Sequence, residues 1–147
     1  MKHSEIKMRL ANVVELVNYC NLNKVKNIVL NIGLLTNFDI LKDASDKIDK
    51  CISQELKDLE VKVAQIGKDL KAKFPEDAIF KAQGDFELGY KNMNTEDKTK
   101  HDALMIEYNK DMEEEMEIKL ELIDMSKIEG APIDTEHAML LKYFIKK

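Results

Sequence analysis

Two short stretches of strict alternation lie far apart in the chain. Residues 5–10 read E-I-K-M-R-L, with Ile6, Met8 and Leu10 on one side. Residues 116–122 read M-E-I-K-L-E-L, with Met116, Ile118, Leu120 and Leu122 on one side. Successive side chains of a strand point to opposite faces, so this period of two predicts two half-buried strands. Almost everything else carries the three-and-four spacing of helices. The pattern therefore predicts an α+β fold, mostly α, as a single domain over residues 1–147. Strands at about 5–10 and 116–123 would pair as a small two-stranded antiparallel sheet. Glu5, Lys7 and Arg9 would face Glu115, Glu117, Lys119 and Glu121 across it, which helps register more than stability. Two strands alone are marginal, and they leave open edges that can take a partner strand.

The helical body follows from spacing and caps. Asn12 with Glu15 three residues later has capping-box spacing, and Val13, Val14, Leu16 and Val17 follow it. That helix should end near Asn21 to Asn23. Val25, Ile28, Val29, Ile32 and Leu35 predict the apolar face of the next helix, with a kink or break around Thr36 to Asp39. Ile48, Ile52, Leu56, Leu59, Val63, Ile66 and Leu70 then approach a heptad seam. Phe74-Pro75 stops it, because a residue before proline avoids the helical region. The seam fits an antiparallel hairpin within one chain, with self-association as the other use of the same stripe. Gly84 and Gly89 bracket a stretch that reads as a connecting loop with one helical turn. Thr95 can cap a third helix with Glu96 and Asp97 in its first turn and Leu104, Tyr108 and Met112 inside, folding back along the seam. Gly130-Ala131-Pro132 is a turn, and Asp134 or Thr135 caps a short last helix with Met139, Leu140, Tyr143 and Phe144 on its apolar side.

Composition narrows the class. Apolar residues are 44% and charged residues 35%, which is globular and too apolar for a disordered chain. A net charge of -5 argues against general affinity for nucleic-acid phosphate. No run approaches the roughly 18 apolar residues of a membrane span, and the start lacks the apolar core of a signal peptide. The expectation is a soluble intracellular protein, with Cys20 and Cys51 as reduced thiols and a disulfide between them as the other option.

Candidate chemistry is sparse. His3, His101 and His137 have no second metal-type ligand at a useful spacing, and the cysteines form no C-x-x-C. Ser4, Ser45, Ser53 and Ser126 sit in no nucleophile elbow, and the five glycines form no phosphate-cradling loop. No cofactor, metal site or catalytic residue is expected, and the chain is not expected to be an enzyme. The densest acidic stretch is Asp111, Glu113, Glu114, Glu115, Glu117 and Glu121. It lacks the pattern of a calcium loop. It can contact a basic partner or mimic nucleic-acid phosphate, though a solvated helix end is the plainer reading. The methionines of the C-terminal half, Met105, Met112, Met116, Met125 and Met139, suit core filling or an adaptable groove.

Three segments carry a resemblance: L-A-N-V-V-E-L at 10–16, K-V-K-N-I-V-L-N-I-G-L-L at 24–35, and the stretch from M-E-I-K-L-E-L-I-D-M-S-K-I to I-D-T-E-H-A-M-L-L-K-Y-F-I. In this order the chain resembles small uncharacterised helical proteins of tailed bacteriophages. The resemblance implies a non-enzymatic phage accessory protein that acts through protein contacts, as a virion or assembly component, and it implies no site residues. The alternative from another class is a small acidic inhibitor of a host nuclease or defence protein. A protein partner or self-association is expected in either case, with neither nucleic acid nor membrane.

Overall fold

The computed structural model describes residues 1–146. The elements are α1 (His3–Leu22), α2 (Ile28–Lys50), α3 (Gln54–Lys73), α4 (Ala78–Ala82), α5 (Asp85–Asn92), α6 (Thr95–Met112), β1 (Ile123–Asp124), α7 (Thr135–Leu141) and β2 (Ile145–Lys146). One-turn 3-10 helices follow β1 at Met125–Lys127 and α7 at Lys142–Phe144. The chain forms two compact units. One joins Met1–Lys50 to the segment from Met112 onward, and the other is Cys51–Asp111.

In the first unit, α1 packs on α2 and α7 packs on α1. The expected N-terminal strand is helix instead. Ile6 and Leu10 continue into Val13, Leu16 and Cys20 at spacings of four and three, so the six-residue alternation is a sample of a longer helical stripe. Ile6, Val13, Leu16 and Cys20 are buried, whereas Met8 is exposed. Asn12 consequently lies inside α1 and caps nothing. The helix stops where expected: Lys24 turns into the left-handed region at φ 53°, and Val25 N–H donates to Cys20 O at 2.9 Å.

The predicted antiparallel sheet does not form. Its first strand is helical, so residues 116–122 have no strand to pair with along their length. They keep the burial alternation, with Met116, Ile118 and Leu120 half-buried and Glu117, Lys119 and Glu121 exposed. The start of the chain still meets this segment, through Met1, Lys2 and His3. Lys2 and Glu115 form an isolated antiparallel bridge, with Met116 N–H on Met1 O at 2.8 Å and His3 N–H on Glu114 O at 2.9 Å. The sheet proper is two residues long and parallel, Ile123 opposite Ile145 and Asp124 opposite Lys146. Phe144, fully buried, carries the chain back to that position.

Helix α2 runs unbroken through Thr36 to Asp39. Asn37, the expected weak point, is fully buried and spends its hydrogen bonds on another segment rather than on its own helix. The helix also turns the other way from expectation. Leu30, Gly33, Leu34, Asn37, Leu41, Ala44, Ser45 and Ile48 are buried, while Ile28, Ile32 and Leu35 are exposed. Two apolar stripes share this helix, and packing against α1 selects the second one.

The second unit is a helical hairpin. The heptad seam is interrupted between Lys50 and Gln54: Ile48 is buried in α2 and Leu56, Leu59 and Val63 in α3, while Ile52, Ile66 and Leu70 are half-buried. Lys73 ends α3 just before Phe74-Pro75. The chain then returns antiparallel through α5 and α6. The Lys71–Asp85 pair at 2.9 Å, the Lys62–Asp97 pair at 2.7 Å and the Lys100–Glu55 pair mark successive levels along α3. Asn94 rather than Thr95 caps α6, accepting Asp97 N–H at 2.8 Å.

The stretch read as a loop between glycines is helix α5, and its glycine has a packing role. A Cβ on Gly89 would lie 1.7 Å from Val63 O, and one on Gly67 would lie 1.9 Å from Asp85 O. At each point a glycine of one helix lies against a backbone oxygen of the other. By contrast, a Cβ on Gly84 meets nothing. Gly89→Ala is therefore expected to destabilise the second unit by about 2 kcal/mol or more, and Gly84→Ala to leave it unchanged, in denaturant titrations followed by circular dichroism. Equal midpoints for the two variants would contradict the close crossing.

Short polar caps add a pH dependence. Asp134 caps α7, accepting His137 N–H at 2.8 Å and lying 2.7 Å from His137 Nδ1. The His137 backbone bond first, then its ring, hold the carboxyl below its ordinary 3.8. A lowered carboxyl stabilises the fold above its unfolded value and loses that contribution as pH falls through the lower folded one. The protection of the α7 amides, taken from hydrogen exchange relative to the intrinsic rate at each pH, should fall below about pH 4, and Asp134→Asn should flatten that response.

Candidate functional site

The first unit leaves an open groove along the N-terminal half of α2. It has a volume of about 370 Å³ and is lined by Ile28, Val29, Ile32, Gly33, Thr36 and residues 121–124 with Lys127. Ile28 is 72% exposed, Ile32 61% and Leu122 50%. Contiguous apolar surface of this kind marks a contact site more often than scattered exposed residues do.

The groove owes its shape to how residues 121–127 are fastened to α2. Asn37 Nδ2 donates to Glu121 O at 2.8 Å, and Asn37 Oδ1 accepts Glu121 N–H at 2.8 Å. One side-chain amide thus satisfies both backbone groups of one residue, as an opposing residue does in a hydrogen-bonded antiparallel pair. A turn earlier, Gly33 meets Ile123, whose Cγ1 would lie 2.5 Å from a Cβ at that position. At the start of the helix, Asn27 Oδ1 caps Leu30 N–H at 2.9 Å while its Nδ2 donates to Lys127 O at 3.2 Å. Asn27, Gly33 and Asn37 therefore hold residues 127, 123 and 121 in antiparallel order. One wall is helix and the other is this strap.

The rim is charged. Glu121 and Asp124 supply two carboxylates and Lys127 one ammonium. Asp124 is engaged with Ser126, accepting from its N–H at 3.0 Å and its Oγ at 2.7 Å, and the Ser126 bonds hold its carboxyl below the ordinary range. Of the acidic residues singled out in the sequence, Glu121 alone lines the groove. Glu113 pairs with Lys2 at 2.7 Å, which raises the Lys2 ammonium pKa. Glu114 and Glu115 bracket the bridge to Lys2, Glu117 is exposed on the strap, and Asp111 is the last residue of the second unit. The acidic run is thus no single cluster.

The remaining titratable groups assemble no reactive centre. His137 stacks on Tyr19 with ring centroids 4.0 Å apart, and its Nε2 lies 3.6 Å from Glu15 Oε1. Tyr19 Oη donates to Pro132 O at 3.1 Å and accepts Asp134 N–H at 3.0 Å, so this group fastens α7 to α1. In the second unit, His101 is buried against Phe86 and Tyr90, and its Nε2 has no hydrogen-bond partner. Tyr90 donates to Asp102 at 2.8 Å, and that bond raises the phenol pKa. Among the described residues, Cys20 and Cys51 form no disulfide, and no group of three or more His, Cys, Asp or Glu is placed to hold a metal ion. No helix among the described residues is long and apolar enough to cross a membrane.

Sequence reasoning named Ile28, Val29, Ile32 and Leu35 but placed them in the core. It missed Asn27, Gly33 and Asn37 as the residues that build the groove. Part of the signal was usable, since Gly33 and Asn37, four apart, share a side of α2 and Asn27 stands at its start as a cap. Comparison with protein-family models, curated proteins and solved structures finds no match to the chain.

Asn37→Leu keeps the shape of the side chain and removes both bonds to Glu121. It is expected to cost about 1–3 kcal/mol and to speed exchange of the Glu121 amide by about tenfold or more, read by hydrogen exchange. An unchanged Glu121 amide would show that the strap is held elsewhere.

Proposed function

We propose that the chain is a non-enzymatic binding protein that takes a protein partner in the α2 groove. The single observation behind this reading is an apolar wall, Ile28, Val29 and Ile32, that stays open although the strap beside it is fixed at both ends. A preformed groove costs less ordering on binding than a loop that must fold around its partner. The resemblance to tailed-bacteriophage proteins would make the partner a virion or assembly component.

The second reading, an acidic inhibitor of a host nuclease or defence protein, draws on Glu114, Glu115, Glu117 and Glu121 as exposed carboxylates. The two readings differ in salt response. A charge mimic weakens steeply as salt rises, and an apolar contact does not.

Selection from a displayed peptide library, with wild type as bait, tests the groove. Binders are expected to lose affinity for Ile32→Asp and to persist at high salt. Binders indifferent to Ile32→Asp would overturn the groove reading. Steep salt dependence together with loss on Glu117→Lys would favour the inhibitor.

A further inference from the structure

We infer that the occupant of the groove is a basic amphipathic helix, an inference that rests on the groove reading above. Charge decides the sign. Residues 113–129, the strap and its flanks, hold seven acidic residues against two lysines, a net charge of -5 equal to that of the whole chain. Lys2 neutralises one of them, Glu113. The Glu121 side chain has no ion-pair partner among the described residues and stands at the groove itself. The apolar wall carries no charged residue between Ile28 and Phe38, so it offers nothing to an acidic partner.

Geometry decides the form. Ile28, Ile32 and Thr36 line the groove at spacings of four along about 12 Å of helix, two turns, with Val29 beside them. A second helix laid beside them would present its own anchors at the same spacing, the usual helix-in-groove arrangement. The volume of about 370 Å³ is that of a small side-chain pocket rather than a deep cavity, which suits two or three aliphatic anchors. Leu122, 50% exposed, adds an apolar contact from the strap side. Lysines or arginines flanking the anchors would then reach Glu121 and, beyond it, Glu117.

Three synthetic peptides of about 15 residues test this by fluorescence anisotropy at about 150 mM salt. One is a Leu/Lys amphipathic helix, one replaces its lysines by glutamates, and one keeps the Leu/Lys composition with the apolar stripe scrambled. The Leu/Lys helix is expected to bind about tenfold or more tighter than either of the others. Ile32→Asp adds negative charge and removes an apolar contact. It should weaken binding about tenfold, whereas simple charge attraction would strengthen it. Glu121→Lys should weaken binding to the Leu/Lys helix and improve it to the glutamate peptide. Tighter binding to Ile32→Asp, or equal binding of the scrambled peptide, overturns the inference. Ile32-dependent binding of the glutamate peptide keeps the groove as a docking face and overturns the basic occupant. So does concentration-dependent dimerisation abolished by Ile32→Asp, which would make the occupant a second copy. If none of the three peptides binds, the basic helix is also overturned, and the displayed-library selection alone then judges the groove.

Discussion

The first unit depends on what one buried amide does with its hydrogen-bonding capacity. Asn37 is fully buried in the middle of α2, where an unpartnered amide would cost several kcal/mol in an apolar setting. Its side chain points away from its own helix and closes a two-bond ring with Glu121. That ring replaces the strand partner that residues 116–122 lack. It also sets which side of the strap faces α2 two residues later, where Ile123 enters the space left by Gly33. From Ile123 the short parallel pairing with Ile145 follows, and with it the position of the chain's final segment over buried Phe144. A polar residue in the core here acts as a register pin, since no neighbouring residue of the strap could take the same bonds without turning its side chains over.

The second unit is organised on the opposite principle. Its pin is the absence of side chains, at Gly67 and Gly89, where α3 and α5 approach closely enough for backbone oxygens to occupy the space of a Cβ. The ion pairs between α3 and the returning helices keep contact with solvent, most of all Lys100 with Glu55, and such pairs contribute little to stability. They mark the register of the hairpin more than they hold it. The burial of Leu56, Leu59, Val63 and Leu88 beside the glycines carries the packing. His101 is the discordant element, a buried ring whose Nε2 meets aromatic neighbours rather than a partner atom.

Much of the helical content was legible because it rests on local signals. Pro75 ended α3, Asp134 started α7, and Leu104, Tyr108 and Met112 marked the inner side of α6. What failed were inferences that needed to know the neighbour, the antiparallel return along α3 excepted. Six alternating residues at 5–10 satisfy a strand and a helix equally, and only the continuation through Val13 and Cys20 separates them. Gly89 looks like a loop signal until Val63 is seen to occupy its missing side chain's place. On α2, Ile28-Ile32-Leu35 and Leu30-Leu34-Leu41 are both good apolar stripes. Periodicity cannot rank two stripes on one helix, and the sequence reading chose the one that packing leaves outside. The candidate site was hidden by the same ambiguity, since its residues look like core.

That ambiguity bears on function. A helix with one apolar stripe can satisfy it inside the fold, and the chain needs nothing more. A helix with two must leave one uncovered unless the fold supplies a second neighbour. Here the strap comes near enough to do so, and the fold stops short. Asn27 and Asn37 fix the strap backbone at the two ends of the stripe, and Leu122, half exposed at the groove, leaves Ile28 and Ile32 open to solvent. Two amide clamps that held a strap only for stability would be better served by an apolar residue reaching across. They leave a bounded, open trough whose apolar wall is uncharged and whose strap is acidic. Exposed isoleucine and leucine are an association liability for any chain, and a liability kept open between two fixed points is most economically explained by a partner that closes it.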